Sequence, residues 1–150
     1  MEEETPESLL IAHDDYHAEY AGTLPDGRQF FLTAPFLVAA DGPESGCEFL
    51  ALYLFDSKGR LQDATIESFG PRATLDEDRR RARRDQLLAT LGAVEYGDIT
   101  IAPFSVSRFG TNFGFIAHAP DEEFDEWFVT IEPGDYMCFY APWDSGEYDT

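Results

Sequence analysis

Cysteine is scarce in this chain of 150 residues: Cys47 and Cys138 are the only two, too few for a disulfide framework, so an ordinary core has to hold the fold. Lysine is scarcer still, one residue against nine arginines. No apolar run approaches the roughly 18 residues of a membrane helix, so no spanning segment is expected. The opening Met1-Glu2-Glu3-Glu4 lacks the positive stretch of a secretory signal, and a cytoplasmic setting is the expectation. Signatures of chemistry are missing too. There is no G-x-x-x-x-G-K-[ST] phosphate loop and no D-x-[DN]-x-[DN]-G calcium loop. Asp144-Ser145-Gly146 is the nearest approach to G-x-S-x-G, and it lacks the first glycine. No catalytic residue can be named, no cofactor is expected, and enzyme activity is the less favoured reading.

Cations are missing from both ends. Residues 1–27 hold eight acids and no base, and residues 121–150 hold ten acids and no base, while all ten bases and twelve acids lie between. The formal net charge is −20. Such a field repels nucleic-acid phosphates and anionic lipid headgroups, which argues against both as partners, and it attracts and steers basic proteins.

What is present is a core former. Hydrophobic residues make up 43% of the chain, enough for one globular domain over residues 1–150. Thr5-Pro6-Glu7 offers a cap and a first-turn proline for a short helix through Leu9, Leu10 and Ile11. Pro25-Asp26-Gly27 and Asp56-Ser57-Lys58-Gly59 are turn chemistry, each flanked by strand-like segments. Phe49-Leu50-Ala51-Leu52-Tyr53-Leu54-Phe55 is apolar at odd and even positions alike and predicts a central strand with both faces covered. Thr74-Leu75-Asp76-Glu77 reads as a capping box and Gly92 as a stop, which predicts a helix over about 75–91. A change of parity at Pro103 predicts a bulge or a strand break, and Glu132-Pro133-Gly134-Asp135 a last hairpin. The expected class is α+β: a mainly antiparallel sheet of about eight strands, one long helix and the short N-terminal helix.

Few residues offer chemistry. His13 and His17, four apart, could share a metal with His118, but no glutamate base adjoins them and the segment lies where helix yields to strand, so no metal site is assigned. Five arginines, Arg79, Arg80, Arg81, Arg83 and Arg84, are expected to pair with Asp76, Glu77, Asp78, Asp85 and acids of the tails. Arg108 is the only cation after them and is suited to an anion. Two segments mix carboxylates with large aromatics: Asp121 to Phe128, with Glu122, Glu123, Asp125 and Trp127, and Ala141 to Asp149, with Trp143, Asp144 and Tyr148. Interfaces draw binding energy from aromatic anchors and on-rate from surrounding charge, so these seven residues are the candidate partner-binding set. The favoured function is an acidic cytoplasmic protein that sequesters or inhibits a basic protein, an immunity-type inhibitor being one concrete form. The alternative is an enzyme or small-ligand binder whose pocket lies between sheet and helix and uses Arg108 and nearby carboxylates.

Overall fold

The computed structural model describes residues 8–13, 18–37, 46–123, 126–134, 137–140, 143 and 146–148. Among them are one α-helix and thirteen strands in three sheets, all paired antiparallel, which is the α+β class. The strand count exceeds the expected eight because several strands span only two or three residues, too short for an alternating pattern to show.

The largest sheet is built around β5 (Cys47–Phe55). On one edge it pairs with β6 (Leu61–Ser68). On the other it pairs with β3 (Gln29–Thr33) and then β4 (Phe36–Leu37), which continues the same register past Ala34-Pro35. Beyond β3 come β2 (Tyr20–Thr23) and the terminal strand β7 (Glu95–Tyr96). A second sheet is a meander of β9 (Phe104–Arg108), β10 (Thr111–His118), β11 (Phe128–Glu132), β12 (Met137–Tyr140) and β13 (Gly146–Tyr148). The third is a ribbon of β1 (Leu9–Ile11) and β8 (Ile99–Ile101).

The two-faced apolar run of β5 now has its cause. Phe49, Ala51, Tyr53 and Phe55 face the meander and the ribbon, in one core with Phe31, Phe113, Phe115, Val129, Ile131, Leu9 and Ile101. Ring contacts join the layers, Phe49 with Phe113 at 4.9 Å and Tyr53 with Phe104 at 4.8 Å. Leu50 and Leu52 point the other way, to Phe30, Leu32, Phe69 and Leu87 of the helix α1 (Glu77–Thr90). The layers are therefore helix, large sheet, then meander with ribbon. Pro103 lies where the chain passes from β8 to β9, a break between sheets rather than a kink within one.

Two local expectations are corrected. Leu9, Leu10 and Ile11 form no helix: they are β1, and Leu9 and Ile11 are fully buried against Ile101 and Ile99. Three successive apolar residues fit either state, and tertiary packing decided; Thr5-Pro6-Glu7 lies outside the described residues. At the long helix, Thr74 ends a 3-10 turn (Arg72–Thr74) and does not cap α1. Asp76 caps it instead, its carboxylate accepting the Arg79 amide at 3.1 Å, and Glu77 is the first helical residue.

A buried side chain links ribbon to sheet. Gln29 extends a backbone ladder by one rung: its Oε1 accepts the Thr100 amide at 2.8 Å and its Nε2 donates to the Thr100 carbonyl at 2.9 Å.

Candidate functional site

The acids after β10 face solvent. Asp121, Glu122, Glu123 and Glu126 are exposed, and Asp121 accepts the Glu123 amide at 2.9 Å to shape the turn. Trp127, half-buried, follows them into β11. Glu122, Glu123 and Trp127 thus share one connection. Trp143 is engaged elsewhere: it packs against the main core, its amide donates to the Tyr140 carbonyl at 2.8 Å, and its carbonyl accepts the Leu10 amide at 2.9 Å. The Trp143 backbone carbonyl thus ties β1 to the end of the meander. Asp125 and Asp144 lie outside the described residues, and Tyr148 is described only as a backbone partner of Met137 in β13.

The arginines are consumed internally. Glu48, buried at the start of β5, accepts from Arg72 at 3.1 Å and from Arg80 of α1 at 3.4 Å. Glu67 of β6 holds Arg83 at 2.6 Å, and this bond raises the guanidinium above its ordinary pKa, so it stays charged. Asp78 takes Arg81 and Asp85 takes Arg84. Arg79 lies 4.5 Å over the Phe69 ring, Arg84 5.2 Å over Tyr20, and Arg72 5.6 Å over Phe36. The partners beyond the helix come from the sheet, where tail acids were the expectation. In the two tight hairpins Asp26 pairs with Arg28 and Asp56 with Arg60. Both carboxylates are held below the ordinary aspartate range, first by the backbone amide of that arginine.

Between β6 and α1 lies a hollow of about 160 Å³ lined by Glu67, Phe69, Arg79, Ala82, Arg83 and Gln86. Ligand pockets run to roughly 300–1,000 Å³. Arg108 does not line it. That residue ends β9 on the meander, exposed, with its guanidinium bonded to the neighbouring Ser107 carbonyl at 3.0 Å. Next to it Phe109 and Gly110 form a two-residue turn, both at positive φ (54° and 70°), with the phenylalanine 62% exposed.

On the outward face of the meander the histidine of β10 is positioned rather than free. Thr130 donates its hydroxyl to Glu132 at 2.6 Å and so must accept from His118 Nε2 at 2.8 Å, which places the imidazole hydrogen on Nε2. Phe128 stacks on the ring at 4.7 Å. Cys138, which reads as a core residue, faces outward beside Thr130 and is half-buried. His13 follows β1, its amide donating to Asp98 at 2.8 Å, and His17 lies outside the described residues. No group of three or more His, Cys, Asp or Glu is placed to share a metal among the described residues, and none of their helices is long and apolar enough to cross a membrane.

Sequence reasoning overlooked Tyr96, an exposed aromatic on the sheet edge. The signal was there, since Glu95-Tyr96-Gly97-Asp98 mixes acids with an aromatic as the two C-terminal segments do. Comparisons with known protein families, with curated proteins and with solved structures find no match.

Proposed function

We propose that this protein is a cytoplasmic binding module that sequesters or inhibits a basic protein, with an immunity-type inhibitor as its concrete form. The observation that carries this reading is the disposition of charge. Seven of the nine arginines are ion-paired with the protein's own carboxylates, within the helix–sheet layer or inside the hairpin turns. Their charge is spent at short range, whereas Glu122, Glu123 and Glu126 are exposed with no ion pair among the described residues. The net field that a distant molecule meets is anionic, which accelerates encounter with a cationic surface and discourages phosphate-bearing ligands.

The reading is tested by isolating the basic protein retained from native lysate and measuring its binding kinetics. Glu122→Gln with Glu123→Gln should slow association about threefold or more and flatten its salt dependence, with dissociation nearly unchanged, because rim charges act on encounter. An association rate that ignores salt in the parent protein overturns the proposal.

A further inference from the structure

Tyr96 stands on β7, and among the described residues no strand pairs with the outer side of β7. The residue is 47% exposed, yet the ring is held on three sides: Phe30 at 5.9 Å, Tyr20 at 6.4 Å and His13 at 6.2 Å. A ring fixed this way loses little side-chain entropy when something docks on it. The β7 backbone also approaches β2 closely, since a Cβ on Gly22 would run into the Glu95 carbonyl. Edge and ring are therefore one preformed feature.

Carboxylates lie on the segments around it, and strand alternation in β7 turns Glu95 to the face opposite Tyr96. Glu95 adjoins Tyr96 and Glu19 adjoins Tyr20; Asp98 accepts the His13 amide at 2.8 Å, and Asp85 holds Arg84 at 2.9 Å. All four acids are exposed. The phenol of Tyr20 is held above its ordinary value, chiefly by burial, with Arg84 opposing and Glu19 and Asp85 adding to the rise, so their field reaches the patch.

This protein already shows what such a setting takes. Arg84 lies on Tyr20 beside Asp85, and Arg72 lies on Phe36 while bonded to Glu48. In both cases a guanidinium covers an aromatic face and a carboxylate takes its N–H edge. Tyr96 offers a like setting, a ring 47% exposed on a strand with acids on the neighbouring segments and no strand on its outer side among the described residues.

We propose that the Tyr96 edge is the docking site for an arginine side chain of a basic protein partner, with the ring against the guanidinium plane and Glu19 and Asp98 supplying the counter-charge. The proposal rests on the reading of the protein as a binder of a basic partner, and it moves the aromatic anchor from the C-terminal segments to the edge of the large sheet. Arginine is specified over lysine because a planar guanidinium stacks and bonds at once, and a compact ammonium does not.

The test uses the full chain, labelled for NMR and titrated with a capped Arg-Gly-Arg peptide and its Lys-Gly-Lys counterpart at low and at physiological salt. Shifts should centre on residues 95–98, Tyr20 and His13, and the arginine peptide should bind more tightly. Tyr96→Ala should weaken it roughly three- to thirty-fold. Tyr96→Leu keeps apolar contact with Phe30 while removing the aromatic face, so it should show the same loss in a chain that stays folded, and Tyr96→Phe should retain binding. Shifts centred on Asp121–Glu126, with Tyr96→Leu binding like the parent, overturn this site and leave the basic-partner reading standing. If neither peptide binds in a salt-dependent way, both fall.

Discussion

At Phe109 a bulky residue holds a backbone conformation that glycine and asparagine adopt at far lower cost. In a two-residue hairpin turn with both φ positive, Asn-Gly is the favoured pair, and a left-handed non-glycine residue costs about 1–2 kcal/mol. The ring regains part of this by lying 5.9 Å from Phe49. Because most of its surface is in water, Phe109→Asn should raise stability by about 0.5–1 kcal/mol, read as an increase in Tm. A fall in Tm would show that the Phe49 contact outweighs the strain. Trp143 presents the opposite case: its side chain lies against the core and its carbonyl holds β1, so Trp143→Ala should destabilise the fold by about 1–3 kcal/mol in chemical denaturation. A melting curve identical to the parent would show that the indole contributes no packing and is free to serve as an anchor.

Among the elements, β5 was the most legible because a strand covered on both faces leaves apolar residues at every position, and no surface strand does that. Leu52 of this strand packs under α1. Leu52→Ala should cost about 2–5 kcal/mol, and a loss under about 1 kcal/mol would contradict its central place. The two tight hairpins were equally legible, since Asp26-Gly27 and Asp56 with Gly59 carry their own turn hydrogen bonds. What could not be read was long-range. Nothing local distinguishes Leu9-Leu10-Ile11 as strand from helix until its partner ninety residues on is known, and the cap of α1 moved two residues because Arg72–Thr74 close a separate 3-10 turn and Leu75 after it is extended. The same limit applies to the candidate site. Composition identified the acid-and-aromatic segments, but not that Trp143 turns inward or that Tyr96 stands at an edge. The attachment of α1 to the sheet is likewise non-local, depending on Glu48. Its two arginines differ in burial, with Arg80 19% and Arg72 72% exposed at the side chain. Arg80→Ala should cost about 3 kcal/mol, because it strips the buried carboxylate of its sheltered partner, while Arg72→Ala should cost about 1 kcal/mol or less. Equal losses in urea denaturation would refute this ordering.

For the whole molecule, charge and pH act in opposition. An excess of twenty negative charges repels itself, so adding salt, or lowering the pH from 7 toward 5, should raise Tm. The trend must then reverse. Asp26 and Asp56 have folded pKa values below the ordinary 3.8, so the folded state binds their protons less readily than the unfolded state does. Their contribution is fully present above about pH 4 and is lost as the pH falls through the folded values. Tm measured against pH should therefore pass through a maximum near pH 4, and a steady fall from pH 7 at low salt would mean that self-repulsion is negligible. The ribbon carries a consequence of another kind, in time rather than energy. β1 is synthesised well before its ladder partner at residues 99–101 and its carbonyl acceptor at Trp143. At a synthesis rate of about 5–20 residues per second it waits several seconds for those partners, with its two most deeply buried side chains exposed. The hairpins β2–β3 and β5–β6 can close sooner after they are made, so β1 docks later than elements synthesised after it, and chaperone engagement of the nascent protein should concentrate there.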